Sequence, residues 1–161
     1  MELKDLFREG MSRLGASVTV LTTDGPAGRH GMTASAVCSV TDTPPTLLVC
    51  VNRSNRSHDM FVQNGTLCVN VLGGQHRDLS GRFARSGLED RFEGTLWSTH
   101  ATGAPVLGDA VAAFDCVISA RQEVGTHSVF FCEIRDIALA EGPCETLVWC
   151  NRDFHQLAMA S

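Results

Sequence analysis

Two short stretches of this sequence concentrate small hydrogen-bonding side chains beside runs that read as strands. The first is Gly31-Met32-Thr33-Ala34-Ser35-Ala36-Val37-Cys38-Ser39. Side chains this small let a planar ligand approach the backbone, whose N–H and C=O groups can read a ring's edge. The second, Asn52-Arg53-Ser54-Asn55-Arg56-Ser57-His58, leads from a strand into a helix N-terminus. Hydroxyls, amides, two guanidiniums and free helix N–H groups together make a competent phosphate site. Each stretch also has a plainer reading. The first can be a strand of small residues facing another sheet, and the second a solvated polar turn with an N-cap.

The histidines divide in the same way. His30, His76 and His100 fall in expected loops or exposed helix positions and read as surface residues. His58 can sit near a phosphate or merely occupy a first helical turn. His127 lies in Gly125-Thr126-His127, which joins two long strands, so its ring could reach over a barrel mouth or stay a satisfied loop residue. His155 follows Phe154, where packing accounts for it equally well.

Some chemistries are excluded outright. Gly25, Gly28 and Gly31 are spaced G-x-x-G-x-x-G, which is not the dinucleotide-binding G-x-G-x-x-G. No phosphate-loop G-x-x-x-x-G-K-[ST] and no G-x-S-x-G nucleophile elbow occurs. A Rossmann or P-loop enzyme is therefore ruled out. The seven cysteines cannot all pair within one chain, and most stand beside Val, Leu, Phe or Ala. They read as reduced, buried thiols. No C-x-x-C or H-x-x-x-H is present, and Cys144 and Cys150 lack zinc-ligand spacing, so no metal is expected.

The chain of 161 residues is 43% apolar and 19% charged, the balance of a globular protein able to bury a core. It reads as a single domain over 1–161, without repeat or linker. With 13 basic against 18 acidic residues the formal charge is −5, and no basic block marks a nucleic-acid surface. No run approaches the ~20 apolar residues of a membrane span, and the first residues show no export signal. The expected compartment is the cytoplasm, with neither nucleic acid nor membrane as partner.

The elements that must position these residues follow from periodicity. Leu3, Leu6, Phe7, Met11 and Leu14 recur near a 3.6 period, with Gly15 at the expected C-cap. Strands are expected over Ser17–Thr23, Met32–Val40, Thr46–Asn52 and Thr66–Leu72, separated by Gly- and Pro-containing turns. Helices are expected over Ser57–Asn64, capped by Ser57 and closed by Gly65, and over about Gln75–Arg85. Val111–Glu123 and Ser128–Ala140 form a long strand pair, Thr146–Arg152 a last strand, and Asp153–Met159 a short helix. Short connections favour antiparallel pairing. The fold expected is mainly β, a closed or nearly closed barrel with peripheral helices.

The run from Gly31 to Pro45 closely resembles the short-chain flavin reductase family. So do Leu67-Cys68-Val69-Asn70-Val71-Leu72, Arg91-Phe92, Phe114-Asp115-Cys116, Gly125-Thr126-His127 and Arg152-Asp153-Phe154-His155, in the family's order. The similarity extends from about Phe7 to His155. It implies a flavin-binding split barrel, a homodimer with flavin sites near the subunit interface, and NADH- or NADPH-dependent reduction of FMN or FAD. It also implies that a separate flavin-dependent monooxygenase receives the reduced flavin. By position, Thr33, Ala34, Ser35, Cys38 and Ser39 resemble the wall along the isoalloxazine and ribityl chain. Asn52, Arg53, Ser54 and Ser57, with His58 beside them, resemble the ribityl and phosphate contacts. Phe83, Ala84 and Arg85 resemble a further flavin-side segment. His127 matches the histidine over the flavin by the nicotinamide, and Arg152 to Phe154 the nicotinamide-side edge. The phosphate turn does not separate FMN from FAD. The rival readings are a non-catalytic flavin- or haem-binding split barrel, a pyridoxamine-phosphate-oxidase-like enzyme, and a purely structural barrel.

Overall fold

A computed structural model of the protein describes residues 1–87 and 90–158. The chain runs α1 (Leu3–Ser12), β1 (Ala16–Ser17), β2 (Thr19–Thr23), β3 (His30–Ala34), β4 (Val37–Asp42) and β5 (Pro45–Asn52). It continues through α2 (Arg56–Asn64), β6 (Thr66–Val71), a 3-10 turn at Gly74–His76, α3 (Arg77–Ala84), β7 (Trp97–Thr99) and β8 (Pro105–Leu107). The last strands are β9 (Ala112–Val124), β10 (His127–Leu139), β11 (Glu145–Cys150) and β12 (Asp153–Ala158). No helix among the described residues is long and apolar enough to cross a membrane.

The main sheet has seven strands in the order β3-β2-β6-β9-β10-β5-β4, every neighbouring pair antiparallel. Strands β3 and β4 occupy its two opposite edges. Only Ser35 and Ala36 separate them in the chain. Consecutive Cα atoms lie about 3.8 Å apart, so three steps bring the ends of the two edges within roughly 11 Å. The sheet must therefore curl almost shut, yet no ladder joins β3 to β4. That is a split barrel, as expected.

Strand alternation fills both faces of the curled sheet. On β2, Leu21 enters one core cluster with Val49, Val69 and Phe130, while Val20 enters another with Leu79, Phe83 and Leu147. All five residues of β2 are consequently buried. The first cluster fills the barrel, and the second lies beneath α3, β8 and β11.

Several expected boundaries move. The expected strand Met32–Val40 is two strands broken at Ser35-Ala36. Helix α2 is capped by Asn55, whose side chain accepts the Ser57 N–H, rather than by Ser57. Gly65 closes it as expected, with a φ of 69°. Helix α1 ends at Ser12 with Arg13 as its C-cap, leaving Gly15 beyond it. The expected helix Asp153–Met159 is instead strand β12 over Asp153–Ala158, paired with β11 (Met159 lies outside the described residues). Asn151 and Arg152 adopt φ values of 52° and 59°, the pattern of a two-residue type I′ hairpin turn. An Asn-Arg pair lacks the usual glycine signal, so the sequence concealed the reversal.

Gly31 is required by close packing. A Cβ there would meet the Leu21 carbonyl oxygen at 2.8 Å and the Phe83 ring at 2.8 Å. One neighbour is backbone in the adjacent strand and the other is a buried ring, so neither yields cheaply. Gly31→Ala is expected to cost about 1–3 kcal/mol in chemical denaturation. Adding Phe83→Leu should recover part of that loss; two purely additive losses would contradict this account.

Candidate functional site

The curl brings residues from distant parts of the chain around one pocket of about 270 Å³. Thr33, Ala34 and Ser35 come from β3 and its exit, Ala84 from the end of α3, and Trp149 and Phe154 from the last hairpin. The Thr33 hydroxyl donates to the Ser80 carbonyl at 2.6 Å and pins α3 to β3. Trp149 and Phe154 meet edge to face at 4.9 Å, and the Arg77 guanidinium lies 4.9 Å from the Phe154 ring centroid. Ser35 and Trp149 also border a larger cavity of about 1000 Å³, which includes Cys38, Arg152 and the α1 residues Phe7 and Met11. Thus Thr33, Ala34, Ser35, Ala84 and Phe154 share the smaller pocket, and Ser35, Cys38 and Arg152 the larger one.

The last hairpin is held from α1. The Asn151 N–H donates to the Ser12 carbonyl at 2.5 Å, and Arg152 pairs with Glu9 at 2.9 Å. Hydrogen bonds from Arg152 and Arg13 hold the Glu9 carboxyl below its usual range. These contacts offset the backbone strain of two non-glycine residues at positive φ.

Other expected residues are placed differently. Ser39 is exposed on β4, and the Phe83 side chain is core, 1% exposed and packed against Phe92 and Trp97. Arg85 is exposed beyond α3 and borders an adjoining surface hollow with Arg77 and Arg82, which shares Gly81 and Phe154 with the smaller pocket. At the second stretch, the Asn52 side-chain oxygen accepts both the N–H and the hydroxyl of Ser54 at 2.9 Å. Ser57 and His58 turn inward and are buried. The Ser57 hydroxyl reaches the Gly31 carbonyl at 3.3 Å and His30 Nδ1 at 2.5 Å. His58 Nε2 stands 2.8 Å from the Ser128 hydroxyl and its Nδ1 stands 2.9 Å from Asp59. Those three groups have the pairings of a hydrolytic triad, but Ser128 is 0% exposed and cannot meet a substrate.

His127 opens β10 directly opposite Asn52 on β5, so both side chains share a face. Its imidazole is exposed, with Nδ1 2.9 Å from the Thr126 hydroxyl. Neither cavity described above is lined by Asn52, Arg53, Ser54 or His127. The expected residues therefore form two groups in one chain.

His30 and His76, read as surface residues, are half-buried and buried. A buried arginine also went without a role. Arg91 Nη1 donates to the Gly31 carbonyl at 2.8 Å and the Phe83 carbonyl at 3.2 Å, and Nη2 donates to the Arg85 carbonyl. It ties the end of α3 to β3, the strand that supplies Thr33. The sequence offered Arg91-Phe92 only as part of a resemblance, because a loop arginine looks the same whether buried or solvated. Among the described residues no cluster of His, Cys, Asp and Glu could hold a metal ion. Cys38, Cys50, Cys68, Cys116, Cys132 and Cys150 are free thiols. Burial pushes Cys132 up to about 12, and it raises Cys68 and Cys116 as well, which makes these three thiols inert at neutral pH.

Residues 11–158 match the flavin reductase like domain, and the chain belongs to that family. It is 53% identical over 152 residues to FMN reductase (NADH) RutF of Pseudomonas syringae pv. syringae (strain B728a), spanning 94% of this chain and 85% of that one. Among solved structures it resembles the NADH:FAD oxidoreductase SgcE6 of Streptomyces globisporus C-1027, in complex with NAD and FAD fragments. There the TM-score is 0.89 at 27% identity, over 97% of this chain and 93% of that one. BorF, the flavin reductase component of a bacterial two-component tryptophan halogenase, superposes with a TM-score of 0.89 at 28% identity, over 98% of this chain and 99% of that one.

One pH dependence follows from His30. Burial, then repulsion from Arg91 and Arg56, lowers its pKa below 6.5 in the folded protein. The unfolded chain takes up this proton near pH 6.5 and the folded chain only at lower pH. Stability contributed by the neutral ring is present above that value and lost as pH falls through the folded pKa. Denaturation midpoints are expected to drop from pH 7 towards the folded pKa, and His30→Gln should flatten that slope. An unchanged slope in the variant would assign it to other groups.

Proposed function

We propose that this chain is an NAD(P)H-dependent flavin reductase, with NADH and FMN the favoured pair, that hands reduced flavin to a separate monooxygenase. The observation that carries the reading is the convergence of Thr33, Ala34, Ser35, Ala84 and Phe154 on one pocket. Its wall of small and aromatic side chains, with hydroxyl and backbone polar groups among them, suits a planar heteroaromatic ring. When bound, the cofactors supply the chemistry themselves, a hydride passing from nicotinamide C4 to flavin N5. The chain's own groups need only bind, orient and stabilise charge. Backbone N–H groups around Thr33–Ser35 offer donors to a ring edge that gains negative charge. The exposed Ser54 hydroxyl can donate to a phosphate at the opening of α2 once it turns from Asn52. His127 orders the nicotinamide, and no general base is required.

The active unit in this reading is a homodimer of single-domain chains, working in the cytoplasm, where seven thiols stay reduced. Helix α1 has no buried residue, and Leu3, Phe7 and Met11 are 83%, 65% and 48% exposed. An apolar face of this kind wants a partner, and a second copy is the commonest one. A partner would also close the gap between the two groups of site residues. Sedimentation should give about twice 17.3 kDa. A fully active monomer would overturn the shared site.

The function is tested by anaerobic assay of the pure protein with NADH or NADPH against FMN, FAD and riboflavin. Flavin-dependent oxidation of the nicotinamide is expected, fastest with NADH and FMN; its absence with every pair would sink the reading. His127→Ala should lower kcat/KM for NADH roughly 10- to 100-fold, the loss of about 1.4–2.7 kcal/mol, with flavin affinity nearly unchanged. Unaltered kinetics with a lower Tm would make His127 a structural residue.

A further inference from the structure

The guanidinium of Arg53 is committed to the neighbouring turn. Its Nη1 donates to the His127 carbonyl at 3.1 Å and its Nη2 to the Gly125 carbonyl at 2.5 Å. Its backbone N–H donates to the Thr126 carbonyl at 3.0 Å. One residue therefore takes three consecutive carbonyls of the turn between β9 and β10. That turn has little else to hold it. Gly125 and Thr126 form a two-residue loop with a φ of 55° at Gly125, and residues 119–127 are all exposed. Pairing with β5 stops at Asn52 and His127, the last partners in that ladder. Behind it, the bond between His58 and Ser128 fixes the strand to α2 but not the tip beyond it. A planar guanidinium makes two hydrogen bonds of fixed relative direction, which a flexible ammonium cannot reproduce.

We propose that Arg53 is a positioning residue, a clamp that fixes the β9–β10 tip and thereby the His127 ring, rather than an anchor for the flavin phosphate. The inference rests on the reading of His127 as the residue that orders the nicotinamide. It adds a coupling: the turn beside the phosphate site sets the geometry of the nicotinamide site through Gly125 and His127.

The test compares Arg53→Ala, Arg53→Lys, His127→Ala and the double variant Arg53→Ala/His127→Ala. Arg53→Ala is expected to lower kcat/KM for NADH roughly 5- to 30-fold while FMN affinity, read by fluorescence quenching, stays within about twofold. In the His127→Ala background the same change should have almost no further effect, because the clamp then holds nothing that acts. Arg53→Lys should recover part of the rate through one carbonyl bond. Amide hydrogen exchange at His127 and Ser128 reads the clamp independently of activity, and it should speed at least about tenfold in Arg53→Ala. Unchanged exchange overturns the clamp even if the protein proves an active reductase. Faster exchange in Arg53→Ala, with a wild-type protein that reduces no flavin, would keep the clamp and overturn its proposed consequence. Flavin binding weakened tenfold or more by Arg53→Ala, or losses that simply add to those of His127→Ala, would return Arg53 to the phosphate.

Discussion

Strands β3 and β4 belong to opposite edges of one seven-stranded sheet, yet a two-residue link holds them together. That covalent constraint shapes the molecule. It forces the curl of the sheet, opens the split, and sets Thr33 and Cys38 on either side of it. Hydrogen bonds secure the split where no ladder can form. Ala36 accepts the Cys50 N–H at 3.0 Å, so the link leans towards β5 and leaves Ser35 exposed. An unpaired edge usually invites another chain. Here β3 is covered by α3 and bound by Arg91 and Ser57 at the Gly31 carbonyl.

Buried polar groups hold the pieces that apolar packing leaves free to slide. Asn70 is 0% exposed and donates to the Val20 carbonyl and the Thr22 hydroxyl, while its own oxygen accepts the Leu107 N–H. Three strands, β2, β6 and β8, are thus registered by one side chain. Asp115 does the same for the Thr102 turn by accepting its N–H at 2.8 Å and its hydroxyl. Such groups cost much if unpaired and fix a unique geometry when every bond is made. Arg91 is the expensive member, since its Nε is buried without a hydrogen-bond partner among the described residues. Its remaining bonds place α3 against the pocket, so precision at the site has been kept at some loss of stability.

Packing and chemistry are also separated along single elements. In α2, the residue before the helix caps it, Ser57 and His58 face inward, and Asp59 faces water. The helix that follows the polar turn is therefore anchored by the side chains that resembled ligand contacts. What that turn leaves exposed is Ser54, whose hydroxyl is held by Asn52.

The sequence by itself determined much. Period-2 runs between Gly and Pro turns specified the long β9–β10 pair to within a residue, and the small-residue run from Gly31 to Ser39 marked the strands beside the pocket. These are local signals, carried by side-chain alternation and turn chemistry, and local physics is legible in a single chain. The tertiary structure alone decided which hydroxyls remain for a ligand, because burial depends on what packs above a residue. It turned Ser57 inward and left Ser54 exposed, although both sit in one polar run. It made β12 a strand, because two residues at positive φ returned the chain onto β11. It also assigned Arg53 and Arg91 their carbonyl partners, since a guanidinium's partners lie across loops far apart in sequence.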